Sequence, residues 1–204
     1  NPEKIMLLGP LFDPRFSNIL TSNFNDLPSE ANLPVLVLGS GANGSNNHLK
    51  LLNALLPLAG RLEVIALCGK RKSTKILLEQ WKEKNPRLAL KVLGFQDPEQ
   101  MAIIYRQAWA MVARPGARTA TEALATGCVL IFNTFGTAMP QELLARRYFS
   151  SRDLDISFKK SFELLKIIQA WLDFPYKYSY LKQQYNSNQL KTNHNEIKNL
   201  IYDS

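Results

Sequence analysis

From Leu33 onward the chain alternates short apolar runs with segments of helical spacing. Residues 34–38 form a continuous apolar run closed by Gly39, the pattern of a strand buried on both faces. A loop rich in Gly and Asn covers 39–47. Leu49, Leu52, Leu55 and Leu56 then recur at the spacing of one helix face, predicting a helix over 48–58. The cycle repeats: strands at 62–67, 88–93, 109–113 and 128–132, helices at 73–84, 97–108, 119–126 and 140–147. Asp97 with Pro98 reads as a helix start, and Gly127 as a left-handed helix stop. Strand and helix alternating at this period predict an α/β fold, a doubly wound Rossmann-like parallel sheet. In such a sheet the ligand lies beyond the carboxyl ends of the strands. The loops that matter are therefore 39–47, 68–72, 94–97, 114–119 and 133–141.

The flanks differ from this middle. Residues 1–32 hold one short apolar run, 5–8, and then a stretch rich in Asn, Pro and Ser. They read as a linker with a candidate edge strand. After Phe149 the pattern turns helical, with Phe158, Phe162, Leu165, Ile168 and Leu172 assigned to one face. Residues 186–199 carry little apolar content and are expected to be weakly ordered or docked elsewhere. The expected division is thus a linker at 1–32, a Rossmann-like ligand-binding domain at 33–149 and a helical C-terminal extension at 150–204.

Composition narrows the classes. At 204 residues with 46% hydrophobic and 21% charged positions, the chain can bury a core without staples. Its longest apolar runs fall far short of the roughly 18 residues that a membrane-spanning helix needs. Residues 1–4 are polar and no secretory leader follows, so a cytoplasmic protein is expected. The first residue is Asn rather than Met, so a fragment or a missing partner half is expected. Two cysteines, Cys68 and Cys128, lie in apolar runs and read as buried free thiols. The two histidines, His48 and His194, have no matching ligands nearby, so no metal is expected.

The net charge is +8 and uneven. Eight basic residues lie between Cys68 and Lys91 (Lys70, Arg71, Lys72, Lys75, Lys82, Lys84, Arg87 and Lys91) against Glu79 and Glu83. A solvated helix face and an anionic membrane surface both fit this patch, the latter implying a peripheral membrane location. Trp81 is the one aromatic residue in it, so a stacking platform for nucleic acid is not supported.

The most informative segment runs from Arg114 through Pro115, Gly116, Ala117, Arg118 and Thr119 to Glu122 and Gly127. It follows a strand and opens a helix. Gly116 permits close backbone approach. The amides at 117–119 are the unpaired donors of a helix N-terminus, an anion site. Glu122, placed in the first turn, suits the helix dipole and has the chemistry to accept hydrogen bonds from a vicinal diol. An ordinary strand-to-helix turn explains the same residues. The loop Gly39-Ser40-Gly41-Ala42-Asn43-Gly44 is a second glycine-rich turn. No acid ends the second strand at Leu67, which argues against a dinucleotide, and no Gly-Lys-Ser/Thr follows, which argues against a P-loop.

Taken together, 35–44, 64–72, 92–95, 114–133 and Gln141-Glu142 resemble the C-terminal half of family 28 glycosyltransferases, in the same order and spacing. The resemblance covers roughly residues 5–149 and implies one half of a GT-B fold. It implies that Gly39, Ser40, Gly41 and Gly44 approach the donor diphosphate and the interdomain cleft. Gly94 and Phe95 hold the uracil by backbone contacts. Gly116, Ala117, Arg118 and Thr119 cap the phosphates, Glu122 binds the ribose hydroxyls, and Gln141 with Glu142 reads the sugar. Arg118 departs from the family's small or apolar residue there, and 134–139 also departs. The implied function is the donor-binding half of an enzyme that transfers a hexose from a UDP-sugar to a lipid or membrane-linked acceptor, with no cofactor. The base and acceptor pocket are expected on a missing N-terminal half or partner chain. His48 reads as a helix-start residue, not a base. A non-catalytic nucleotide-sugar-binding subunit and a UDP-sugar 2-epimerase stay open as alternatives.

Overall fold

A computed structural model describes residues 12–17, 33–40, 47–136 and 139–189. Six strands form one sheet: β1 (Val35–Leu38), β2 (Glu63–Leu67), β3 (Ala89–Leu93), β4 (Ala110–Ala113), β5 (Val129–Asn133) and β6 (Ile156–Phe158). Their order is β3-β2-β1-β4-β5-β6, and every pairing is parallel. The helices are α1 (Pro14–Ser17), α2 (His48–Leu55), α3 (Lys72–Lys84), α4 (Pro98–Gln107), α5 (Ala117–Thr126), α6 (Pro140–Ser150), α7 (Ser161–Asp173) and α8 (Pro175–Ser187). A short 3-10 turn, Leu56–Leu58, closes α2 where the sequence predicts continuous helix. Pro57 has no amide hydrogen to extend the helical ladder.

The doubly wound prediction holds. β1, β4 and β5 are buried along their whole length, as their continuous apolar runs require in a sheet covered on both faces. β3 alternates exposed and buried positions, as suits an edge. α4 starts with a full capping box: the Gln100 amide donates to the Asp97 carboxylate at 2.9 Å, and the Asp97 amide donates to Gln100 Oε1 at 3.4 Å. α5 ends at Gly127 in the left-handed region, φ +66°. A Cβ there would also fall 2.9 Å from Asn186 Oδ1, which that exposed side chain can relieve by turning, so the left-handed backbone is what calls for glycine.

The sequence pattern departs from the structure after Phe149. The run assigned to helix first yields β6, which extends the sheet beyond β5. Phe158 is buried there rather than on a helix face. α7 turns Leu164, Ile168 and Trp171 inward and leaves Phe162 exposed. The cause is competition: an edge position beside β5 offers three residues a hydrogen-bond ladder that local periodicity does not register. Within the expected linker, α1 packs on α4 and α5, and Phe16 meets Tyr105 edge to face at 5.8 Å. The apolar run at 5–8 lies outside the described residues.

α8 secures this late edge. Leu130 lies on β5 one residue before β6 begins to pair. The buried Tyr185 hydroxyl serves it instead, accepting from the Leu130 amide at 3.1 Å and lying 3.1 Å from the Leu130 carbonyl and 3.3 Å from that of Leu154. Gln189 donates to the Ala125 carbonyl at 2.7 Å, and Lys182 donates to Gly127, so α8 also holds the end of α5. Tyr185→Phe leaves those buried backbone groups without their partner. It is expected to cost about 1–3 kcal/mol of stability, read as a lowered urea midpoint with an unchanged slope.

Candidate functional site

β1 and β4 are neighbours whose onward connections run in opposite directions, so the sheet's switch point lies between their carboxyl ends. The Gly39 amide donates to the Val112 carbonyl at 2.7 Å, drawing the first loop tight against β4. A Cβ on Gly39 would stand 3.1 Å from that carbonyl oxygen and 3.3 Å from the Ala113 Cβ. Glycine here serves close approach. Ser40 follows, with its Oγ buried and lacking a hydrogen-bond partner among the described residues. Gly41 and Gly44 lie outside the described residues.

α5 opens at the end of β4. Gly116 occupies the cap position in extended backbone and brings no side chain to it. The amides of Ala117, Arg118 and Thr119 therefore point out of the helix end without an intrahelical acceptor. Beside this end lies a polar cluster. The buried Tyr105 hydroxyl lies close to Thr119 and to the Glu122 carboxylate. Arg118 Nε donates to Glu122 Oε1 at 2.7 Å. The Arg118 side chain is 77% exposed and that of Glu122 only 9%. Burial, then the Glu122 charge, holds the Tyr105 hydroxyl well above the usual phenol range, so it stays a donor. Tyr105 stands beside Glu122 without any signal in the sequence, because on α4 it counts only as one more apolar position. Glu122 also needs correction: the helix begins at Ala117, which puts Glu122 in the second turn rather than the first. The dipole contributes little there.

The loop after β3 starts α4, which packs against α5, so both helices begin at the carboxyl edge of the sheet. Phe95 is exposed, with the Lys70 ammonium 5.1 Å from its ring centre. The carbonyls of Gly94 and Phe95 accept from the Gln96 amide at 3.3 and 3.1 Å.

The end of β5 is organised differently. Arg114 grips Glu142 through two parallel bonds, Nε to Oε1 at 2.8 Å and Nη2 to Oε2 at 2.6 Å, and also donates to the Phe135 carbonyl. Oε2 accepts from the Met139 amide at 3.0 Å as well. The Glu142 side chain is buried. Sequence reasoning has Glu142 read sugar hydroxyls; its carboxylate instead ties the end of β4 to the start of α6. Gln141 stands beside it at the second position of α6, and its side chain lies outside the described residues.

His48 is the first residue of α2 and 2% exposed, with Nε2 donating to the Leu67 carbonyl at 2.8 Å. Burial pushes its imidazole down against the pull of the Leu67 and Leu38 carbonyls. It joins β2 to α2 and does not face a ligand. Cys68 and Cys128 are buried free thiols, the latter pushed up to about 12 by burial. Among the described residues no group of His, Cys, Asp and Glu is placed to hold a metal ion, and no helix is long and apolar enough to cross a membrane.

Comparison with known proteins follows this geometry. The sequence profile of the glycosyltransferase family 28 C-terminal domain matches residues 35–147. A processive diacylglycerol beta-glucosyltransferase of Bacillus pumilus (strain SAFR-032) is 25% identical over 193 residues, covering 94% of this chain and 49% of that protein. The chain thus spans about half the length of the curated relatives it matches. The crystal structure of Acinetobacter baumannii MurG superposes with a TM-score of 0.70 at 20% identity, over 85% of this chain and 51% of that one. Anabaena HepE, solved in complex with UDP-glucose, superposes with a TM-score of 0.55 at 15% identity, over 77% of this chain and 44% of that one.

Burial pushes the Glu142 carboxyl up, but the Arg114 and Met139 bonds outweigh it and hold the group below its usual value. Its folded pKa is thus depressed, so the pair's stability is complete above the ordinary carboxylate value of about 4.3 and is lost as pH falls through the folded value. Glu142→Gln is expected to cost about 2 kcal/mol at pH 7, less than the ~3–5 kcal/mol of a fully buried pair because Arg114 is partly exposed. In urea unfolding across a pH series, the gap between parent and variant closes on the acid side. A gap independent of pH would exclude the ion pair as its source.

Proposed function

The chain belongs to the family of glycosyltransferase family 28 C-terminal domains, and from that we propose that it is the donor-binding half of an enzyme transferring a hexose from a UDP-sugar to a lipid acceptor. The observation that carries this reading is the open N-terminus of α5 at the sheet's switch point, with a buried carboxylate beside it. A nucleoside diphosphate sugar presents the matching features: two phosphates, a vicinal diol and a flat base. The amides of Ala117, Arg118 and Thr119 take the diphosphate, where the helix end favours negative charge. Glu122 accepts from the ribose hydroxyls. Backbone groups of Gly94 and Phe95 take the uracil once Gln96 releases their carbonyls. Gly39 admits the ligand close to β1, and the Ser40 hydroxyl, which has no partner among the described residues, meets a polar group there.

In this reading Gln141 reads the sugar, with Glu142 acting through Arg114 as a positioning residue rather than a direct contact. Gly41 and Gly44 extend the donor loop.

The chemistry assigned to this half is stabilisation of the departing UDP. In transfer with inversion, an acceptor hydroxyl attacks the anomeric carbon as the bond to the β-phosphate breaks. The amides at the start of α5, together with Arg118, receive the charge that develops on the leaving diphosphate. A group outside these residues takes the acceptor's proton. The similarity to a processive diacylglycerol beta-glucosyltransferase favours a glycolipid product. The exposed Ile76 and Leu77 of α3, set among Lys72 and Lys75, favour contact with an anionic membrane surface.

Two outcomes test the site. In calorimetry, UDP, UDP-glucose, UDP-galactose and UDP-N-acetylglucosamine are expected to bind more tightly than NAD, because β2 ends in Leu67-Cys68-Gly69 with no acid for an adenosine ribose. Tighter binding of NAD than of UDP would overturn the assignment. Glu122→Gln is expected to weaken UDP by about 1–3 kcal/mol, the scale of a charge-assisted hydrogen bond, while the isosteric amide keeps the fold. Unchanged UDP affinity in that variant would remove Glu122 from the ribose.

A further inference from the structure

We propose that Arg118 is a ligand-displaced guard on Glu122, which makes the site demand a diphosphate and not merely a nucleoside. The inference rests on the donor-site reading and adds a specificity mechanism to it. Its starting point is a conflict in the geometry. Glu122 is the carboxylate assigned to the ribose, yet Oε1 already accepts from Arg118 Nε at 2.7 Å. Its other close neighbour is the hydroxyl of the buried Tyr105. The exposed approach to Glu122 is therefore the one that Arg118 covers.

The two partners differ in how firmly they are held. Tyr105 is buried and packed against Phe16, so it stays beside Glu122. The Arg118 side chain is 77% exposed and spans one helical turn to reach Glu122, with a single donor engaged. An ion pair to so exposed a partner is weak and readily exchanged. Arg118 is also the second residue of α5, so its own amide belongs to the helix end that receives the diphosphate. A swing about its side-chain torsions moves the guanidinium from Glu122 to phosphate oxygens bound at those amides. Guanidinium and phosphate are matched for bidentate bonding.

The consequence is an exchange of partners. Uridine alone must displace Arg118 from Glu122 and leaves the guanidinium with solvent. UDP displaces it and at once supplies a better acceptor. Arg118 thus penalises ligands that bring a diol without a diphosphate, and rewards those that bring both.

The experiment is a four-way titration: uridine and UDP, each against the parent chain and Arg118→Ala, with thermal melts to confirm that the exposed substitution leaves the fold intact. The parent is expected to bind UDP at least tenfold more tightly than uridine. In Arg118→Ala uridine is expected to tighten two- to fivefold and UDP to weaken about tenfold, so the ratio contracts at least tenfold. A ratio unchanged within twofold, with UDP still binding the parent, overturns the guard while leaving the donor site standing. Uridine weakening together with UDP overturns it equally, because Arg118 would then be a plain contact. Failure of UDP to bind the parent chain overturns the donor-site reading and the guard together.

Discussion

The fit between β1 and β4 is the constraint on which the rest of the site depends. Strands on one side of this junction continue toward β3 and those on the other toward β6, so the helices they feed diverge and a crevice is left at the carboxyl edge. Glycine at residue 39 suits this junction: its amide reaches Val112 at 2.7 Å, where a Cβ would crowd that same carbonyl at 3.1 Å. With the two strand ends at this spacing, Gly39 and the start of α5 both lie at the carboxyl edge of the β1–β4 junction. Separate them and the helix end still attracts anions, but the opposite wall is gone.

Two arginine–carboxylate pairs flank this space, and their physical differences decide their roles. Arg114 and Glu142 make two short parallel bonds, and the carboxylate is buried and further fixed by the Met139 amide. Breaking such a pair leaves a charge stranded in a poorly solvated place, so it stays intact and holds the loop after β5. Arg118 and Glu122 share one bond, and the cation is mostly in water. That pair exchanges partners at small cost. Under the proposed reading the firm pair shapes the cleft, and the loose pair is the one that meets the ligand.

The alternation of strand and helix was legible because continuous apolar runs and 3.6-residue periodicity are local signals, as in Val35–Leu38 and Val129–Asn133. The caps at Asp97 and Gly127 were legible for the same reason, since each is decided within four residues. The loops at the carboxyl ends of the strands followed from the strand–helix alternation alone. What was not legible depends on partners far away in the chain. β6 exists because β5 offers it an edge, and α7 chooses Leu164, Ile168 and Trp171 because α2 and the sheet lie on that side. Tyr185 reads as a tail aromatic until Leu130, 55 residues earlier, needs its hydroxyl. Glu142 and Glu122 look alike in sequence, each near the start of a helix after a strand. Only the third dimension gives one a bidentate arginine and the other a tyrosine beneath and a movable arginine above.

The most direct test of the central claim is amide chemical-shift mapping of the 15N-labelled chain titrated with UDP. A diphosphate seated at the switch point predicts the largest shifts at Ala117, Arg118 and Thr119, with further shifts at Gly39, Ser40, Gly94 and Phe95 and none along α8. Shifts centred instead on the basic face of α3, or spread evenly over the surface lysines, would show that charge alone binds the nucleotide and would contradict a donor site at the meeting of β1 and β4.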